Sequence, residues 1–350
     1  MKFQNPKDIY SSNPTIFTLK NKKRTVIKIM DWGATILDVS VYIPSTNEQR
    51  SLILGTEPSK YNEQGAYMGA TIGRVAGRIE NAQFKLNRQT YRIPLFQNTK
   101  HSLHGGQMGF DKKRFTVLDY NQSSISLCLK SPHLDEGFPG NLNLIVNYKL
   151  TDNNEFIIEY YAKTDIETPI NVTNHGYWNL DKKTCSPSDY SIKEHKLRID
   201  SDRYLELSAN SIPTGNFLNV ENTIMDFNKP KILKNAVEYL AETFIQNGLD
   251  HCFILKDKHS VAPVELISSD DKVKLTVNSN YPSVQVYTSN FFNKEPSLVP
   301  NVTYSNYAAI CIEPGYYPNA INTPLFTEKN PTLKPGEDFN KFIQFKFETY

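Results

Sequence analysis

The segment Val172-Thr173-Asn174-His175-Gly176-Tyr177-Trp178-Asn179-Leu180 sets one histidine among amides, a glycine and two aromatic rings. Amide groups and aromatic faces are what a protein needs to hold a polyhydroxylated ring. A histidine moves protons near neutral pH, because its free pKa is about 6.5. Read alone, the segment fits equally well a buried histidine that is hydrogen-bonded inside a β core.

Other segments supply complementary groups. Ala308-Ala309-Ile310-Cys311-Ile312-Glu313 ends an apolar run on a carboxylate, and a strand-end glutamate that loses solvation gains basicity. Asn247-Gly248-Leu249-Asp250-His251 puts an acid directly before an apolar run. Asp250 can accept hydrogen bonds from two hydroxyls or cap a turn. The stretch Gly65 to Ile79 has closely spaced glycines and two arginines. It lacks the Gly-Lys-Ser/Thr ending of a phosphate loop, and it suits close backbone packing that delivers Arg74 or Arg78 to a cleft. Asn98-Thr99-Lys100-His101-Ser102-Leu103-His104-Gly105-Gly106 ends in a histidine and paired glycines, which allow close backbone approach to a ligand. His101 and His104 stand three apart, but no further ligand follows at a recognised zinc spacing. No metal site is expected.

These groups need a frame, and the frame reads as β. Alternating or β-branched runs cover Thr25 to Met30, Thr35 to Ile43, Leu142 to Tyr148, Glu155 to Tyr161, Lys272 to Val277 and Ser283 to Thr288, the strand signature. Turn residues punctuate them at Glu136-Gly137-Phe138-Pro139-Gly140, Asp152-Asn153-Asn154 and Lys334-Pro335-Gly336. The best helix candidate is Ile232 to Phe244. No linker or change of composition divides the chain. The expectation is one all-β domain over residues 1–350, a large antiparallel β-sandwich.

Composition excludes some partners. The 39 Lys and Arg nearly balance the 37 Asp and Glu, leaving a net charge of +2. That balance argues against nucleic acid or an anionic membrane as the main partner. No run approaches the ~20 apolar residues of a membrane span. The start, Met1 to Asp8, lacks the apolar run of a secretion signal. Cys128, Cys185, Cys252 and Cys311 are widely spaced and form no CxxC pair, so neither a disulfide framework nor a zinc knuckle is expected, and the compartment reads as a reducing cytoplasm.

Together the segments resemble the aldose 1-epimerase (galactose mutarotase) family. The resemblance runs in order through YMGATIGRVAGRI, NTKHSLHGGQMGFDKKRF, DEGFPGNLNLIVNYKL, VTNHGYWNL, IPTG, GLDHCFIL, PSVQVYTSNFF and EPGYYPNAIN, covering about residues 25 to 345. It implies the galactose mutarotase-like sandwich, with a sugar cleft on one concave sheet and neither metal nor organic cofactor. It implies a catalytic acid at His175 and a catalytic base at Glu313. Arg78, His104, Asp250 and Gln285 fall on the family's sugar-binding positions.

The activity implied is interconversion of the α and β anomers of a free hexose such as galactose or glucose, by acid–base ring opening and closure. An ionised Glu313 and a protonated His175 would give a bell-shaped pH profile, and aromatic faces such as Trp178 are candidates to press on the sugar. The alternatives are a hexose 6-phosphate 1-epimerase and a non-catalytic sugar-binding protein of the same fold. The partner expected is a monosaccharide, bound by a monomer or homodimer. The chain departs from the family pattern at Gly77, Gly176, Trp178, Pro314, Gly315 and Asn319, so the loop after Glu313 is expected to shape the cleft differently.

Overall fold

The computed structural model of this chain describes residues 13–61, 65–97, 99–183, 190–256, 263–297, 302–329 and 331–350. Cys185, Asn98 and the Met1–Asp8 start lie outside them.

Period-two alternation governs the architecture. In Leu142–Leu150 every second residue is buried, from Leu142 through Leu144, Val146 and Tyr148 to Leu150. Successive side chains of a strand point to opposite faces, so such a strand offers one apolar face to a core. Nine strands, alternating in this way at the centre and exposed at the two edges, form one antiparallel sheet. Their order is Thr116–Tyr120, Ser124–Ser131, Leu142–Leu150, Glu155–Thr164, Phe339–Thr349, Val273–Ser279, Val264–Ile267, Lys196–Ile199 and Lys231–Ile232. The C-terminal strand Phe339–Thr349 pairs with both Glu155–Thr164 and Val273–Ser279, closing the middle of the sheet.

A seven-stranded antiparallel sheet lies against it. Its order is Pro213–Asn219, Arg203–Leu207, Asp250–Ile254, Ser283–Tyr287, Ile310–Gly315, Tyr177–Trp178 and Ile53–Leu54. Phe253, Val284, Val286, Ile310, Ile312 and Trp178 from this sheet share one core with Tyr148, Phe156, Phe345 and Phe347 from the first. A four-stranded sheet, Ile16–Lys20, Val26–Met30, Thr35–Ile43 and Glu48–Ser51, joins the same core through Leu19, Ile27, Ile29 and Val39.

Each strand expected from the sequence is present, with ends moved by a few residues. Helical structure is as scarce as expected. Leu233–Thr243 buries Leu233, Ala236, Val237 and Leu240, the i, i+3, i+4, i+7 stripe of a surface helix. Among the described residues, no helix is long and apolar enough to cross a membrane. Cys252 and Cys311 are buried free thiols, and Cys128 is a half-buried one.

Candidate active site

The seven-stranded sheet turns one face to the core and the other to a cavity. Core-facing Val284, Val286, Ile310 and Ile312 alternate with Gln285, Tyr287, Cys311 and Glu313, which therefore point the other way. Register aligns these residues across strands. Gln285 lies opposite Glu313 and Cys252, while Tyr287 lies opposite Cys311 and Asp250. Tyr177 sits opposite Cys311 on the far side. One patch of sheet thus gathers a carboxylate pair, an amide, two thiols and two phenols from four strands.

Loops close over this patch. His175 is held by its backbone, which donates to Ala70 O at 2.9 Å and accepts from Gly69 N at 2.8 Å. Arg78 begins the short strand Arg78–Ile79, which pairs with Ser102–Leu103. The His104 turn rests on close backbone contact. Gly105 has φ +89°, and a Cβ there would meet the Gly73 carbonyl oxygen at 2.0 Å. Only glycine permits that approach. It sets His104 so that its Nδ1 accepts from the Gly77 N–H at 3.3 Å. The cavity measures about 420 Å³, and Arg78, His104, His175, Asp250, Gln285 and Glu313 all line it.

The electrostatics follow from burial. His175 Nε2 lies 3.6 Å from Glu313 Oε1, and both side chains are about 5% exposed (6% and 5%). Loss of solvation disfavours each charged form. It lowers the His175 pKa to about 4 and pushes Glu313 well above the ordinary carboxyl value, with the nearby Asp250 charge adding to the rise. Burial therefore favours a neutral imidazole beside a protonated carboxyl. His104 is also held well below its usual value by burial, and next by His175 and Arg78. Aromatic rings flank the imidazole: Tyr177 stacks on His175 at 5.0 Å and Tyr67 at 6.0 Å. Asp250 accepts from Gln285 Nε2 at 2.7 Å and faces Arg78 at 3.6 Å.

The structure thus brings together all six residues singled out from the sequence. It separates others from them. Trp178 does not face the cavity. It is fully buried in the core, with its ring 4.8 Å from that of Phe345, because Tyr177 takes the cavity side and the next residue must take the opposite one. Arg74 is also core material. Its guanidinium donates to the carbonyls of Pro139, Gly140, Ser131 and Pro132 and to the hydroxyls of Thr168 and Ser131. His101 and His104 serve different backbone donors, since His101 Nδ1 accepts from Asn81 N–H. The loop after Glu313 does shape the cavity, through Gly315, Tyr316 and Pro318. Asn319 keeps an acceptor role, its Oδ1 taking the Glu80 N–H at 3.0 Å.

Sequence reading missed Tyr67, Tyr177, Tyr287 and Cys311. The last three sit two residues from His175, Gln285 and Glu313, so period two carried a signal for them. Nothing local marked Tyr67.

Comparisons with known proteins agree with this architecture. The fold is that of the galactose mutarotase-like β-sandwiches. A structure of an aldose epimerase homologue from C. elegans superposes with a TM-score of 0.86 at 26% identity, over 96% of this chain and 99% of the other. The galactose 1-epimerase of Lactobacillus acidophilus does so with a TM-score of 0.80 at 26% identity, over 100% and 98%. The aldose 1-epimerase of Escherichia coli is 34% identical over 336 residues, 95% of this chain and 94% of its own. Human galactose mutarotase is 34% identical over 325 residues, 92% and 90%. The model of the family described as aldose 1-epimerase matches residues 15–346. The chain belongs to the aldose 1-epimerase family, whose members are isomerases.

Proposed function

We infer that this chain interconverts the α and β anomers of free aldohexoses, with Glu313 and His175 as its base and acid. The observation that carries the reading is their placement, side by side at 3.6 Å on one wall of the cavity. The anomeric oxygen and the ring oxygen of a pyranose are both bonded to C1. An acid and a base serving these two atoms must stand next to each other, each within about 2.6–3.2 Å of its oxygen in the reacting complex.

Glu313 takes the proton of the anomeric hydroxyl as that oxygen becomes the C1 carbonyl. The bond from C1 to the ring oxygen breaks, and His175 delivers its proton to the ring oxygen. C1 turns, and closure on the other face reverses both transfers. The chemistry needs the pair to hold one proton in the form His175-H⁺/Glu313⁻. Burial alone favours the neutral form of the pair. Sugar hydroxyls that hydrogen-bond the carboxylate, and the two tyrosine faces stacked on the imidazole, favour the ionic form once the cleft is filled. Asp250, fixed by Gln285 and Arg78, accepts from hydroxyls remote from C1. His104, whose Nδ1 is occupied by Gly77, turns Nε2–H to the sugar.

The cavity favours a free sugar over a phosphorylated one. Among the described residues lining it, Arg78 is the one Lys or Arg, and it already faces Asp250. Glu295 and Glu313 add negative charge potential. A phosphate would need cations of its own, and Arg74 is committed to backbone carbonyls in the core. The shared core of the three sheets supports reading the chain as a single domain.

Polarimetry on fresh α-galactose and α-galactose 6-phosphate at trace enzyme tests the reading. Free galactose should be the better substrate by at least about tenfold in kcat/KM, about the penalty of one unmatched charged contact. Preference for the phosphate would make the chain a hexose 6-phosphate epimerase. Binding of galactose without acceleration would make it a sugar-binding protein.

A further inference from the structure

Next to the acid–base pair lies a side chain to which anomerisation gives no task. Cys311 stands two residues before Glu313 on Ile310–Gly315, so both project from the same face of the sheet. Its thiol is free and fully buried. The sulfur lies 3.5 Å from His175 Nδ1, while Glu313 Oε1 lies 3.6 Å from His175 Nε2. One donor atom from each of His175, Cys311 and Glu313 falls within 4.8 Å of the other two. Three atoms that close share a centre at most about 2.8 Å from each, against about 2.0–2.3 Å for zinc bonds to nitrogen, oxygen and sulfur. A single ion bonds one imidazole nitrogen, so the thiol or the carboxylate, which meet opposite nitrogens, swings to the other's side to complete the set.

The donor set has a chemical preference. Thiolate and imidazole select Zn²⁺ and similar thiophilic cations, whereas Mg²⁺ and Ca²⁺ take oxygen ligands. Zn²⁺ with one thiolate and one carboxylate is also neutral overall, which suits a buried site. Since His175 and Glu313 line the sugar cavity, a fourth coordination position opens towards it. Three protein ligands and one open position form a familiar zinc arrangement.

We propose that His175, Cys311 and Glu313 together bind Zn²⁺, and that the bound ion shuts the anomerisation site. The inhibition rests on the reading of His175 and Glu313 as acid and base. On binding, the thiol proton and the proton held by the pair pass to solvent, and three new bonds to zinc replace them. With zinc on one oxygen, the Glu313 carboxylate loses its basicity towards the anomeric hydroxyl, and the His175 nitrogen bonded to zinc has no proton for the ring oxygen. Sugar and zinc compete for one place.

The test uses the full chain stripped of metal. Zinc uptake is measured by competition with a chromophoric chelator, which needs no catalysis, and anomerisation by polarimetry in buffered free Zn²⁺. The wild type should take up one zinc and lose at least about nine-tenths of its rate at saturation. EDTA should restore the rate, galactose should raise the zinc concentration required, and Mg²⁺ should have no effect. Cys311→Ser and Cys311→Ala, checked for folding by circular dichroism, should each weaken zinc binding by at least about tenfold, as loss of a ligand demands. An active wild type that takes up no zinc, or Cys311 variants that bind it as tightly as the wild type, would overturn the proposal and leave the functional reading standing. A chain that binds zinc through Cys311 but anomerises no sugar would uphold the metal site and overturn both the shut-off and the functional reading.

Discussion

The proton held between His175 and Glu313 has a thermodynamic signature. In the unfolded chain the two residues titrate near their free values, about 4.3 for glutamate and about 6.5 for histidine. Above pH 6.5 the unfolded pair binds no proton. The native pair keeps its proton to a higher pH than the unfolded carboxyl does, because burial raises Glu313 well above its ordinary value. A raised carboxyl contributes stability that is present below the unfolded pKa and lost as pH rises through the folded pKa. Wherever the native state holds the extra proton, unfolding free energy falls by up to about 1.4 kcal/mol per pH unit, until Glu313 ionises.

Glu313→Gln removes that proton. The lone His175, at about 4, is then neutral in the folded state while the unfolded residue is charged below pH 6.5. A depressed histidine destabilises towards acid, so stability of the variant rises by up to about 1.4 kcal/mol per unit from pH 4 to 6.5. In the wild type the same window is nearly flat for this pair, since both states bind one proton. The assay is urea unfolding of wild type and variant at half-unit steps from pH 4 to 9. Subtracting the two curves cancels the other titrating groups. A difference curve that runs parallel to the axis above pH 6.5 would refute the shared proton.

Three further outcomes follow from the same geometry. The acid limb of kcat/KM should lie near pH 4, set by a second proton on His175, and the alkaline limb should belong to Glu313; an alkaline limb at 6.5 that persists unshifted in Glu313→Asp would contradict this. Trp178→Ala should cost about 3–5 kcal/mol of stability by urea unfolding while leaving KM for galactose nearly unchanged, because the indole faces the core; a large rise in KM with intact stability would return Trp178 to the sugar. Gly105→Ala should destabilise by roughly 1–3 kcal/mol through its left-handed backbone and raise KM by displacing His104, given the 2.0 Å approach of its Cβ to Gly73 O; wild-type behaviour would show that the turn relaxes freely.

Much of this was legible in the sequence because strands announce themselves locally. Leu142–Leu150 and Glu155–Thr164 alternate residue by residue, and that alternation is also what buries them. The site residues were legible as motif positions, but their assembly was not. His175 and Cys311 are 136 residues apart in sequence, and Gln285 meets Glu313 only through strand register. The error over Trp178 came from reading an aromatic residue by type and not by phase; His175 and Tyr177 already claim the cavity side. The exchange of limbs between His175 and Glu313 was hidden for a different reason. Free pKa values order the pair one way, and burial, which only the folded chain supplies, orders it the other.

Polarimetric mutarotation of α-galactose by Glu313→Gln shows whether the Glu313 carboxylate takes the anomeric proton. The amide matches the carboxyl in shape but accepts no proton. The variant should fold and still bind galactose while losing about 10²- to 10⁴-fold in kcat. A variant that anomerises galactose at close to the wild-type rate would contradict that role for Glu313.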